Sequence, residues 1–319
     1  MSLREEILNY SRQRTMTPLS DWFDHTLSEL CDLNVYADAN QLEDIGKKLV
    51  DGIHVYGEKH NINNVAIGMS GGVDSALTAA MFKQAGWSVL GVTMPIHQNP
   101  DETDRGIAAC EALDIEHKQV DLTKTYNSLL KSFQSHDATL KKDSETLRKG
   151  NLRVRLRMMT IYNEASRIKG LVASTDNFSE LAAGFWTLHG DVGDLAPIQS
   201  LTKSWEVPRL AEMMGVPSET VFAKPTDGLG ISDDDEAQFG FSYLEFDIVL
   251  MALCQVDGLT TRESCLAHLD APDVDLAKVN RILDRIKMST FKRANPYNLD
   301  HPSQSNRYPG LKTIDASLL

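Results

Sequence analysis

Long apolar runs are missing from this 319-residue chain. The longest, about Phe246–Cys254, is broken by Asp247. It falls well short of the ~20 residues a membrane helix needs, so no membrane association is expected. The opening Met1-Ser2-Leu3-Arg4-Glu5-Glu6 is acidic and carries no apolar h-region, so no secretory leader is expected. Basic charge is also scarce. Against 45 Asp and Glu stand 32 Lys and Arg, a formal net charge of −13, with pI near 5.1. Nucleic-acid binding relies on surplus Lys and Arg to neutralise phosphates, so a nucleic-acid partner is not expected. The four cysteines, Cys31, Cys110, Cys254 and Cys265, form no C-x-x-C pair. That excludes a zinc ribbon or thioredoxin-type motif and implies free thiols in a reducing cytoplasm. No internal repeat or low-complexity tract is visible.

The composition that remains is that of an ordinary globular protein, 42% apolar and 24% charged. A chain of this length buries roughly three quarters of its surface on folding and needs no disulfides. Residues 1–60 read as a helical N-terminal extension. Ser20 is placed to cap a helix through Leu30, and Leu42, Ile45, Leu49, Ile53 and Tyr56 recur at helical spacing over Gln41–His60. Such an extension would pack on the main body or on a second subunit.

From residue 61 the pattern becomes β-α-β-α. Strands are predicted at Val65–Met69, Trp87–Thr93, Ile115–Val120 and Leu171–Ala173. Helices are predicted over Asp74–Ala85, Thr103–Leu113, Leu122–Phe133 and Leu147–Lys169. This alternation predicts an α/β fold, a doubly wound parallel sheet of Rossmann-like type, with ligands at the carboxyl ends of the strands. Beyond Lys203 the chain is helical, over Ser204–Met214, Ser242–Leu253, Thr260–His268 and Val274–Met288. The acidic run Asp233–Glu236 reads as a loop covering the site, and residues 296–319 as an extended tail.

The chemistry concentrates after the first strand. Val65–Met69 runs directly into Ser70-Gly71-Gly72-Val73-Asp74-Ser75 and then into a helix. Two glycines allow close backbone approach. Consecutive N–H groups and the helix N-terminus favour an anion, and Ser70 and Ser75 add hydroxyls. No Gly-Lys-Ser/Thr follows, so this is not a Walker loop.

The hexapeptide resembles the pyrophosphate loop of the adenine-nucleotide α-hydrolase, or ATP pyrophosphatase, superfamily. Four further segments resemble the NAD synthetase family, and the likeness runs from about residue 60 to 295. They are Gly150–Met158, Ser174–Glu180, Gly190–Ile198 with Leu201-Thr202-Lys203, and Lys224–Leu229. In Gly150–Met158, Asn151 and Arg155 share one helix face, Arg153 and Arg157 another, and Leu152, Leu156 and Met159 form the apolar stripe. The stretch 141–169 holds nine Lys and Arg against three Asp and Glu, a local excess of positive charge. Capping of the helix after Ser174 by Thr175 or Asp176 would be compatible with a site there.

The resemblance implies a site. Gly68, Met69, Ser70, Gly71, Gly72, Val73, Asp74, Ser75, Thr175, Lys203 and Thr226 would bind ATP. Asp74 and Glu180 would hold Mg²⁺, and Asp74 and Lys203 would be catalytic. Arg155, Asp194 and Lys292 would contact deamido-NAD. The implied reaction is ATP-dependent amidation of deamido-NAD to NAD through an adenylate, with AMP and pyrophosphate released. The implied assembly is a homodimer. No glutaminase module is visible, and Cys31 alone in 60 residues does not make one, so free ammonia is the expected nitrogen donor. A separate amidase partner would supply the same ammonia.

Three departures stand on the substrate side. Leu188 replaces a common lysine, Phe291 precedes Lys292 where the family has histidine, and the loop 190–194 is one residue short. They keep open the same chemistry on a different carboxylate or oxo substrate. A non-catalytic nucleotide sensor is the further alternative.

Overall fold

The computed structural model describes residues 1–14, 18–133, 142–224, 236, 239–259 and 261–293. Its centre is a four-stranded parallel sheet of β1 (Asn64–Gly68), β2 (Ser88–Thr93), β3 (Glu116–Gln119) and β4 (Leu171–Val172), in the order β3-β2-β1-β4. β1 pairs with β2 from Asn64↔Ser88 to Gly68↔Val92, and with β4 through Val65↔Leu171 and Ala66↔Val172. The chain builds outward from β1 to β3 and then returns to the other side of β1 with β4. That reversal opens a crevice between the carboxyl ends of β1 and β4, where ligands bind in doubly wound sheets.

Both faces of β1 are buried, which explains its unbroken apolar run. Val65 and Ile67 face one core with α4 (Val73–Gln84), where Leu77, Ala80 and Met81 are buried. α3 (Ala39–His60) and α9 (Glu206–Met213) join this layer through Ile53, Val207 and Leu210. Ala66, Leu90 and Val92 face a second core with α6 (Thr123–Phe133) and α7 (Lys142–Arg167), through Tyr126, Leu156, Ile161 and Ala165. Met159, expected in the apolar stripe of α7, is exposed. Leu156 is buried as expected, and Val154 and Ile161 are buried beside it.

Helix starts follow their caps. α5 runs Pro100–Ala112 rather than from Thr103, because Asn99 Oδ1 accepts the Asp101 N–H at 3.2 Å and Pro100 opens the helix. α9 begins two residues later than expected. The Ser204 N–H is bound to Asp247 Oδ2 at 2.9 Å, and Glu206 Oε2 accepts the Thr202 N–H at 2.8 Å.

A third core lies beside the sheet. It joins α1 (Leu3–Arg14) and α2 (Asp21–Asp32) to the late helices α11 (Tyr243–Cys254), α12 (Arg262–Leu269) and α13 (Asp273–Met288). Ile7, Phe23, Leu27 and Leu30 pack there with Leu244, Val249, Ile282 and Leu283. Ser20 caps α2 as expected, its Oγ accepting the Phe23 N–H at 3.5 Å. The N-terminal helices thus rest on the chain's own C-terminal helices. Short helices α8 (Phe178–Ala183), α10 (Ser218–Val221) and α14 (Thr290–Arg293) complete the described structure. Thr226, residues 233–235 of the acidic run and everything from Ala294 lie outside the described residues.

Candidate active site

β1 ends at Gly68 and α4 begins at Val73, so residues 69–72 must turn the chain within one loop. Gly71 makes the turn at φ +84°, and a Cβ there would lie 2.1 Å from the Glu102 carbonyl oxygen. Only glycine fits that place. Arg105 Nε donates to the Gly71 carbonyl at 3.2 Å, fastening the loop to α5. Inside the loop the Ser70 Oγ accepts the Gly72 N–H at 3.2 Å, Ser75 Oγ donates to the Gly72 carbonyl at 3.0 Å, and the two hydroxyls lie 3.2 Å apart. The loop is therefore preformed around the N-terminus of α4.

Asp74, in the first turn of α4, meets the β4 side of the crevice. Asn177 Nδ2 donates to Asp74 Oδ1 at 2.9 Å, while Asn177 Oδ1 accepts the Glu180 N–H at 2.9 Å and caps α8. The cap is thus Asn177, not Thr175 or Asp176. Lys203 Nζ bridges the two carboxylates, bonding to Asp74 Oδ2 and, at 2.9 Å, to Glu180 Oε1. Its side chain is only 6% exposed, against 14% and 15% for Asp74 and Glu180. Burial pushes the Glu180 carboxyl upward. Burial opposes the Lys203 charge, but Asp74 and Glu180 outweigh it and hold the ammonium protonated.

Asp74, Glu180 and Lys203 line a cavity of about 650 Å³, a common size for a ligand site. Gly68, Met69, Ser70, Gly72, Val73, Asp74, Ser75, Thr175, Glu180 and Lys203 all face it. Gly71 does not line it, because it turns toward α5.

Cations line the cavity as well. Arg155 and Lys292 reach it, as does Arg157. Arg155 Nε donates to the Leu188 carbonyl at 3.1 Å. Arg157 Nε donates to the Met94 carbonyl at 3.0 Å and its Nη2 to Gln98 Oε1 at 2.9 Å. Lys292 Nζ donates to the Gly184 carbonyl at 2.6 Å and sits 5.4 Å from the centre of the Trp186 ring.

Asp194 is not brought to this cavity. Its carboxylate accepts from Tyr162 Oη and the Val172 N–H, each at 2.9 Å, and so brackets the edge of β4. Gly193 presses against β4, since a Cβ would lie 2.5 Å from the Val172 carbonyl oxygen, and this pins the short loop there. Asp191 faces the cavity instead, and burial raises its carboxyl pKa. Asp176, also facing it, is pushed up to about 7 by burial and by Asp191.

Arg14, Trp186 and Asp191 line the cavity and Asn177 bonds to Asp74, although sequence reasoning gave them no place there. Asn177 had a readable signal, an Asn three residues before Glu180 at a helix start. Arg14 had none, because it comes from a helix far away in sequence.

Two carboxylates beside a phosphate loop are a donor set that suits Mg²⁺, which takes one or two carboxylates plus substrate phosphates. Among the described residues no group of three or more His, Cys, Asp or Glu could hold a metal by itself. The donor set therefore fits a cation brought in with a polyphosphate.

The switch-point crevice, preformed anion loop and Asp74–Lys203–Glu180 cluster define an α/β nucleotide-dependent enzyme of the ATP pyrophosphatase class. Within that class the chain belongs to the NAD synthase family, whose model matches residues 45–296. An NH(3)-dependent NAD(+) synthetase of Finegoldia magna is 38% identical over 197 residues, covering 61% of this chain and 78% of that relative. A solved NH3-dependent NAD synthetase from Campylobacter jejuni superposes with TM-score 0.62 at 27% identity, covering 81% of this chain and 99% of that one. The structure of an NMN synthetase from Francisella tularensis gives TM-score 0.66 at 25% identity, covering 82% and 99%. No helix among the described residues is long and apolar enough to cross a membrane.

Proposed function

We propose that the protein amidates deamido-NAD to NAD with ATP and free ammonia, releasing AMP and pyrophosphate. One observation carries the reading. A single cavity is lined by the glycine-rich loop, by the Asp74–Lys203–Glu180 cluster and by Arg155, Arg157, Lys292 and Trp186. Such a cavity suits two anionic nucleotides meeting head to head. The names of the relatives support ammonia as the nitrogen donor.

The reaction balances in two steps. The pyridine carboxylate oxygen attacks the ATP α-phosphorus, the bond to the β-phosphate bridging oxygen breaks, and pyrophosphate departs. Ammonia then attacks the carbonyl of the acyl adenylate. The C–O bond to AMP breaks, and one proton leaves the new amide nitrogen. The loop N–H groups with Ser70 and Ser75 would hold the departing pyrophosphate at the N-terminus of α4. Thr175 and Lys203 would face the phosphates, with Lys203 offsetting their charge, and Thr226 would join them from outside the described residues. Asp74 and Glu180 would hold Mg²⁺ together with phosphate oxygens, and such a cation neutralises charge on the leaving group. Arg155 and Lys292 would hold the dinucleotide so that its carboxylate faces ATP. Asp191 joins them in this reading, with Asp194 keeping a role at the edge of β4.

A homodimer accords with α7, which leaves Met159 62% and Tyr162 39% exposed beside Arg155. A monomeric mass in solution would refute it. Four unpaired thiols suit a cytoplasmic setting.

The deciding assay supplies Mg-ATP, deamido-NAD and either ammonium or glutamine, and reads NAD and AMP together. NAD with ammonium alone is the expected result, and AMP without NAD would refute the acceptor. The likeness to the NMN synthetase, with Leu188 and Phe291 in place of the family's residues, favours one second reading. In it the acceptor is the corresponding mononucleotide, and a higher kcat/KM for that compound would establish it.

A further inference from the structure

Arg14 ends α1, upstream of the family-matched region that starts at residue 45. It is 8% exposed and lines the cavity that holds Asp74, Glu180 and Lys203. Its Nη1 donates to the Lys203 carbonyl at 2.8 Å. Its buried Nε has no hydrogen-bond partner among the described residues. A buried guanidinium with a donor left over is costly unless its charge is used.

The Lys203 segment is gripped on the other side by an acid. The Lys203 N–H donates to Ser179 Oγ at 2.9 Å, Ser179 Oγ donates to Asp247 Oδ1 at 2.5 Å, and the Ser204 N–H donates to Asp247 Oδ2 at 2.9 Å. Asp247 belongs to α11 and is fully buried. The backbone on either side of the Lys203 side chain is thus held between two buried, opposite charges. Neither comes from the strands or loops of the sheet crevice.

The rest of α1 is docked along the same segment. Tyr10 meets Trp205 edge-on with ring centres 5.2 Å apart, and its hydroxyl accepts from Arg209 Nη1 at 3.2 Å. Ile7 is completely buried in the core shared with α11. These contacts fix the end of α1, and so Arg14, against Lys203.

We propose that Arg14 is a positioning residue for ATP. It holds Lys203 in the geometry that meets the polyphosphate, so the N-terminal helix is part of the nucleotide site. This rests on the ATP-dependent reading above but not on the identity of the acceptor.

The test measures Mg-ATP affinity by calorimetry on the full chain, alongside kcat and both KM values. Arg14→Met keeps an apolar stem and removes charge and donors. Loss of a charged hydrogen bond predicts an ATP Kd raised between about tenfold and a hundredfold. The acceptor KM should stay within about twofold. Arg14→Lys should recover part of the loss. Arg4→Ala is the control. It removes the Arg4–Asp24 pair inside the extension, where Arg4 Nε lies 3.1 Å from Asp24 Oδ1, and should lower Tm without changing ATP affinity. Arg14→Leu, which likewise removes charge and donors, applies the same comparison should Arg14→Met not fold. A folded variant without the arginine charge whose ATP Kd and kcat match the wild type overturns the proposal. So does an equal effect of Arg4→Ala on ATP affinity. A wild type that binds ATP yet forms no NAD refutes the amidation reading, while the Kd comparison still decides the role of Arg14.

Discussion

Replacing Gly71 by alanine separates the shape of the loop from its chemistry. Gly71 stands at φ +84°, where an L-residue pays about 1–2 kcal/mol. The added Cβ would also lie 2.1 Å from the Glu102 carbonyl oxygen, and real Cβ contacts stay above 3.0 Å. The gap must therefore widen by at least 0.9 Å. The first turns of α5 cannot simply retreat. Arg105 ties them to the Gly71 carbonyl, and a Cβ on Gly106 would lie only 2.8 Å from the Met69 carbonyl oxygen. The phosphate loop moves instead. A displacement near 1 Å in a positioning element costs about 10²-fold in rate. Strain of this size lowers Tm by roughly 2–3 °C in a chain this long. The assay is kcat/KM for ATP at saturating ammonium and acceptor, paired with a thermal melt. Gly72→Ala is the comparison, because its φ is −94° and its Cβ would meet only Ser70 Oγ at 3.3 Å. That variant should change stability by less than about 1 kcal/mol. Wild-type kcat/KM and Tm for Gly71→Ala would refute the argument.

Asp74→Ala should abolish turnover with far-ultraviolet circular dichroism unchanged, and near-normal activity would remove Asp74 from the metal site. Arg155→Ala should raise the deamido-NAD KM at least about tenfold with ATP KM unchanged, as for loss of a charged contact; equal changes in both would place Arg155 elsewhere. Asp247 gives a pH signature. Burial raises its carboxyl from 3.8 to about 6, so the folded state holds its proton more tightly than the unfolded chain. Stability from this group is then greatest below pH 4 and declines as pH rises through 6, by up to about 3 kcal/mol. Denaturant melts of wild type and Asp247→Asn should show the wild type gaining on the variant as pH falls from 7 to 4, and parallel curves would contradict the buried-charge reading.

The parts of this protein legible in its sequence are those governed by local rules. The unbroken apolar run of β1, the two glycines and the helix that follows already specify a buried strand, a tight turn and an anion site. The cap at Ser20 acts within three residues of itself, and helical spacing alone locates α3. Register along the family's motifs was enough to single out Asp74, Thr175, Glu180 and Lys203, which the fold gathers on one cavity wall.

Tertiary structure decided what depends on distant chain segments. Whether an acid in a short loop faces a cavity or a strand edge depends on which backbone it packs against, so Asp191 and Asp194 could not be told apart by spacing. The start of α9 depended on Asp247, more than 40 residues ahead, taking the Ser204 N–H. Arg14 reaches Lys203 across 189 positions of sequence. No periodicity encodes such a contact, because it arises only when α1, α2 and α11 close on one shared core and carry Arg14 and Asp247 to the two ends of the peptide group that follows the Lys203 side chain.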